Sequence, residues 1–492
     1  MDDEQRFIHS LFVQRAIRTY FCVTTPKPPS SENAFSFTIL HFTRNTPVRR
    51  RRHLRLRRGK GAAIGYVQKR NIMEPLEFAP FAGVVALACA LALRPPTAVQ
   101  RLTGGLNYFF VPDVDKEEES RASRKASNRE RKERAAAREV ATSSIARIQL
   151  VPQVLAARPL FESLDLIVFF ASLLACEAAA SAAGAVIFNT HSALTPTMSA
   201  AGLLLAFKCL LDAHRDRTIT PPVERQLALL VAFVGWALTV FVVFLAPATA
   251  VDFSLMGLAN DANDILENLL GAEVRVRVLH VGLAFAFISS AVSGLLFAGS
   301  SRLVKAYLMA TACPQWCKEY ASSAKLSPIR KFLLHTTFAS PMGVLVASSP
   351  GMCFAAEANP VELQAVSLVA CGALFFAATR PLTQAHLDSG LIAWYEIKEG
   401  DAEHENLTEA QRSAIERKLN VTSHIVVKVA LQFAAPALAF ASCGVGAWAY
   451  SLRASVDASA RIKMQAMLTT GWFFALWTTA FGALAFVLNR KL

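Results

Sequence analysis

Long runs of uncharged, mostly apolar residues alternate along this chain with short segments that collect its charged side chains, and the lengths of those runs set the elements. Crossing a lipid core about 30 Å thick takes about 20 helical residues at 1.5 Å of rise each. Two runs of 26 uncharged residues, between Arg225 and Asp252 and between Lys463 and Arg490, meet that length outright. Four more lie between Arg277 and Arg302, Lys331 and Glu357, Glu362 and Arg380, and Lys428 and Arg453. The stretch from Asp165 to Lys208 holds 42 residues broken only by Glu177 and His191, too many for one crossing. It predicts a helical hairpin that turns near 189–196, where polar residues and Pro196 interrupt the apolar pattern. A shorter run at 79–93 is either a ninth span or a signal-like segment. The expected fold is therefore all-α: a polytopic helical integral membrane protein with eight or nine transmembrane helices.

The loops test that division. With nine crossings, the loops and tail on one side carry 29 Lys and Arg, against 5 on the other. Positive charge is retained in the cytosol, so the rich side is the expected cytosolic side. The C-terminus then lies in the cytosol and the first span starts outside, in an endomembrane or the plasma membrane.

Composition agrees and removes a competing class. Of 492 residues, 53% are hydrophobic and 18% charged, with a formal net charge of +14. Residues 1–72 alone hold 15 Lys and Arg against 4 Asp and Glu, so the remaining chain is nearly balanced and nucleic acid is not an expected partner. The basic stretch VRRRRHLRLRRGK (48–60) conflicts with an outside start. Residues 1–72 thus form an Arg-rich extension, a targeting peptide or a gene-model artefact, and 73–492 the multi-pass membrane domain.

Between spans, the charged loop at about 94–162 has the composition of a solvated or disordered cytosolic connector, with a headgroup- or partner-binding arm as the sharper alternative. RLVKAYLMATAC (302–313) has an apolar face and two basic residues suited to the inner leaflet. Thr408 and Gln411 form a capping-box pattern for a helix that runs into the span beginning near Val421.

Charged groups inside a bilayer need a partner, a watery cavity or the interface. Glu177, Lys208, His335 and Lys428 are the candidate intramembrane polar site. Glu177 and Lys208 stand in neighbouring halves of the hairpin and are expected to pair, either as a structural tie or as an ion or proton relay. Lys428 is long enough to snorkel to the interface. Pro341 and Pro436 should kink their helices. Small residues at about four-residue spacing, Ser290, Gly294 and Ala298 in one span and Ala178, Ala182 and Gly184 to Ala185 in another, mark helix-packing faces. Nine scattered cysteines and the absence of nucleophile, phosphate-loop or four-ligand metal motifs point to no enzyme, metal or cofactor.

Three segments, PIRKFLLHTTFASP (328–341), FAATRPLTQAHL (376–387) and VALQFAAPALAF (429–440), resemble the transmembrane protein 161 family, whose animal members are called A and B. Asp165, Glu177, Lys208 and SLMGLANDANDILENLL (254–270) extend the similarity over most of the chain after Met73. The resemblance implies a membrane protein linked to oxidative-stress response or to modulation of ion currents, with other membrane proteins such as channels as partners. The matched positions Arg330, His335, Thr336, Pro341, Thr379, Arg380, Pro381, Gln384, His386, Gln432 and Pro436 form the candidate family-motif cluster. The function this resemblance implies is a non-catalytic membrane regulator or scaffold. The alternative is a transporter or channel with a polar path through Glu177, Lys208, His335 and Lys428.

Overall fold

A computed structural model describes residues 99, 102–110, 146–188, 194–216, 220–245, 253–270, 275–313, 321–351, 359–399, 409–454 and 457–489. All of them belong to the second of two compact units, Asn71–Leu492. The Arg-rich extension and the short apolar run at 79–93 lie outside the described residues.

The described chain is helical apart from one ribbon. Strand β1 (Asn107–Phe110) pairs antiparallel with β2 (Ala146–Gln149), Asn107 opposite Gln149 and Phe110 opposite Ala146. Helices α1 (Pro152–Ala156), α2 (Phe161–Phe188), α3 (Leu194–Arg215), α4 (Pro222–Leu245), α5 (Leu255–Leu270) and α6 (Val278–Thr311) follow. After a 3₁₀ turn at Ser323–Lys325 come α7 (Pro328–Ala347), α8 (Pro360–Glu399), α9 (Glu409–His424), α10 (Val426–Ala454) and α11 (Ala458–Asn489).

Seven of the described helices are long and apolar enough to cross a membrane: α2, α3, α4, α6, α8, the continuous α9–α10 stretch and α11. α7 lies over the span expected between Lys331 and Glu357 and buries Leu334, Thr337, Pro341 and Val344, but its polar residues hold it outside that set. The hairpin of α2 and α3 divides where the sequence places its turn, and α9 runs into α10 through one residue, Ile425. The segment 302–313 departs from expectation. It continues α6 to Thr311, and Arg302 points among helices instead of at headgroups.

Helix α10 is the hub. In its stretch 89% of the most apolar window is buried, against 22% for α4, whose Leu229, Phe233 and Phe241 remain exposed where a bilayer would cover them. Small residues set the spacing around the hub. A Cβ at Gly372 of α8 would come within 2.7 Å of the Ala437 carbonyl of α10 and 2.8 Å of the Ala441 nitrogen. One at Gly444 would lie 2.6 Å from the Ala365 carbonyl. Only a missing side chain lets these two backbones approach so closely, the device common where lipid gives helices no hydrophobic reason to associate. The Ser290–Gly294–Ala298 face packs α6 on α4: Gly294 lies against Ala228 and Ala232, and the Ser290 hydroxyl donates to the Ala232 carbonyl at 2.8 Å. The second expected face does not pack in the same way, since Ala182 is exposed.

Candidate functional site

The bundle has two ends. At one, α5 reaches α11: the Asp261 carboxylate accepts from the Arg461 guanidinium, and Asn263 exchanges two hydrogen bonds with the Val276 backbone. The other end, where β1 and β2 sit, contains two polar assemblies.

The first is a buried ionic centre. Glu224 stands in the first turn of α4, Lys428 in the first turn of α10, and Arg302 late in α6. Glu224 Oε2 accepts from Arg302 Nη2 at 2.6 Å, and its Oε1 accepts from Lys428 Nζ at 3.0 Å. Arg302 Nη1 also donates to Gln432 Oε1 at 2.6 Å, and Lys428 to Thr220 Oγ1 at 2.8 Å. Thr220 in turn donates to the Ala213 carbonyl at the end of α3, at 2.8 Å. Side-chain exposures of 0% for Lys428, 15% for Glu224 and 19% for Arg302 place these charges out of bulk water. Isolated, each would be costly there; sharing one carboxylate offsets the desolvation and ties α4, α6 and α10 together at one level. Close by, His214 and the Gly294 carbonyl are 3.0 Å apart, linking α3 to α6.

The second assembly is a clamp on α8. Gln384 accepts from the Asn107 N–H through Oε1 at 2.8 Å and donates to the Asn107 carbonyl through Nε2 at 3.0 Å, as a neighbouring strand would. Its Nε2 also donates to Asp388 at 2.8 Å. The fully buried Asp388 carboxylate accepts from the Ser323 N–H at 2.7 Å, holding the 3₁₀ turn. Arg380 Nη2 donates to the Gly104 carbonyl at 2.8 Å. One face of α8 thus fixes both the ribbon and the segment before α7. The ribbon pairs two segments of the loop at about 94–162, for which no strand was expected; residues 111–145, the most charged part, lie outside the described residues.

The four intramembrane candidates are not brought together. Glu177 is 1% exposed and accepts from Thr195 Oγ1 at 3.1 Å. Lys208 is two-thirds exposed and pairs with Asp212 one turn on, at 3.8 Å. The expected Glu177–Lys208 pair is replaced for a geometric reason. Thr195 is level with Glu177, and Lys208 lies thirteen residues further along α3, about 20 Å away at 1.5 Å per residue. His335 is exposed, with Nδ1 2.7 Å from the Tyr307 hydroxyl. Lys428 does not snorkel, because Glu224 and Thr220 hold it inside.

Of the family-motif positions, Arg380 and Gln384 enter the clamp and Gln432 the ionic centre. Thr336 and Thr379 donate to the Phe332 and Phe375 carbonyls of their own helices at 2.9 Å. Arg330 is exposed in the first turn of α7, capped by Ser327, and makes no described contact with Arg380. Pro341, Pro381 and Pro436 all lie inside helices. His386 Nε2 is buried without a hydrogen-bond partner among the described residues. Glu224 and Asp388 were absent from the sequence-derived set. Glu224 sits at the edge of its span, where an acidic residue suggests an interface; the signal that could have found it was the need of Lys428 for a counter-ion. No metal-holding cluster of His, Cys, Asp or Glu occurs among the described residues.

Compared with protein-family models, curated proteins and solved structures, the chain gives no match.

Proposed function

We propose that this multi-pass protein is a non-catalytic membrane regulator or scaffold of the kind its resemblance to the transmembrane protein 161 family implies, acting on ion currents or in oxidative-stress response through contacts with other membrane proteins. In this reading its ribbon-bearing end and its C-terminus face the cytosol, following the distribution of Lys and Arg.

One observation carries the preference for a regulator over a carrier. Lys428, the most deeply buried cation of the candidate polar path, is held by Glu224 and Thr220, while Glu177, Lys208 and His335 each have a separate partner elsewhere. A conduction path requires polar groups in series around water. Here Glu177, His335 and Lys428 bond to side chains of neighbouring helices and Lys208 pairs within its own helix, so the four form no series. The cavity beside Gln432 supports the same reading, since it has room for about one water molecule.

The test is flux or current through the purified protein reconstituted in liposomes, with Glu177→Gln and Lys208→Met as controls. The regulator reading expects leakage no greater than that of protein-free vesicles. A flux that either substitution abolishes would replace it with the transporter.

A further inference from the structure

Proline inside a helix leaves the carbonyl four residues earlier without its usual N–H donor. At Pro341 the protein supplies a substitute: the Ser340 hydroxyl donates to the freed Thr337 carbonyl at 2.9 Å. At Pro436 the freed carbonyl belongs to Gln432, which is 3% exposed, and no side chain among the described residues donates to it. Gln432 and Pro436 instead line a small cavity walled by α3, α6, α8, α10 and α11, together with Ser300 and Thr478. Thr478 is 6% exposed, and its Oγ1 is buried without a hydrogen-bond partner among the described residues. Proline denies the Gln432 carbonyl its usual helical donor, and burying the Thr478 hydroxyl unpaired carries a penalty that native interiors avoid.

We infer that this cavity is a binding site for one ordered water molecule, which donates to the Gln432 carbonyl and exchanges a hydrogen bond with the Thr478 hydroxyl, with Ser300 as a third polar neighbour. The volume fits one water, and two to four polar partners are what such a water requires. A monovalent cation is disfavoured by the Arg302 guanidinium, which donates to the side chain of this same Gln432. An anion is disfavoured by the volume and by the carbonyl oxygen. The water stands beside Pro436 of α10, next to the residue that receives Arg302, so it serves the backbone that the proline frees at the edge of the ionic centre.

The experiment is thermal unfolding of the full-length protein in detergent or nanodiscs, comparing the parent with Thr478→Val, Pro436→Ala and the double variant. Valine keeps the shape of threonine and removes the hydroxyl. With a bound water, Thr478→Val lowers Tm by about 1–3 °C. That fall shrinks in the Pro436→Ala background, where an alanine N–H serves the Gln432 carbonyl. An unchanged or raised Tm for Thr478→Val would overturn the inference, because deleting an unpaired buried hydroxyl should help. A parent Tm that changes when Na⁺ is replaced by choline at constant ionic strength would overturn it in favour of a cation. If Pro436→Ala does not fold, an experimental map of the parent decides. A peak within hydrogen-bonding distance of both the Gln432 carbonyl and Thr478 Oγ1 upholds the water, and its absence at a resolution that shows other buried waters refutes it.

Discussion

A single carboxylate, Glu224, serves two buried cations, and this asymmetry ranks the substitutions around it. Glu224→Gln leaves Arg302 and Lys428 facing each other without a counter-ion between them. Loss of one partner from such a buried pair costs about 3–5 kcal/mol. Lys428→Met removes one cation but leaves Glu224 paired with Arg302, so it should cost clearly less. Thermal unfolding of the two variants checks the order, and a Lys428→Met protein less stable than Glu224→Gln would contradict it. Glycine makes a second comparison. Gly372→Ala drives a methyl group against backbone atoms of α10, which cannot move aside as a side chain end could, and should destabilise by about 1–3 kcal/mol. At Gly343 an added Cβ would meet nothing within 4 Å, so alanine should be accepted there with no loss and a gain of up to about 1 kcal/mol in helix propensity. Residue chemistry of this kind was only partly legible in the sequence. Lys428 stood out as a charge in an apolar run and Gln432 through the family resemblance, whereas Glu224 and Asp388 did not, because the sequence does not disclose which helix ends meet.

Elements were far more legible, since the length of an uncharged run is itself the physical requirement for a span. The paired helices α2 and α3, the Pro-containing α7 and the junction of α9 with α10 all stand where charge and turn residues place them. The ribbon β1–β2 was hidden for the opposite reason. Its strands are four residues each and are separated by a long charged segment, so they carry almost no periodicity of their own; their order comes from Gln384, Arg380 and Asp388 on α8. This makes the ribbon sensitive to one side chain. Gln384→Ala removes both hydrogen bonds to Asn107, each worth about 1 kcal/mol net. Amide hydrogen exchange at 107–110 should rise several-fold while the core of α10 keeps its protection. Equal protection in variant and parent would show that the ribbon stands without the clamp.

For the molecule as a whole, the bundle is organised from the inside outward: α10 is enclosed, α4 presents Leu229, Phe233 and Phe241 outward, and polar side chains join neighbouring helices. At mid-bundle the Trp477 indole donates to Ser289 at 2.8 Å, and Ser289 lies 2.6 Å from the Thr239 hydroxyl, so three helices share one small polar knot. The ionic centre repeats this arrangement with charges nearer one end. The sequence disclosed the class of molecule and its intramembrane charges, but not that those charges would be divided among separate partners. That division is the central claim, and hydrogen exchange of the full-length protein in lipid nanodiscs tests it most directly. The account predicts that amides from Val426 to Phe440 are among the last to exchange. Exchange there as fast as at the helix ends would reveal water along α10 and contradict a closed, tied interior.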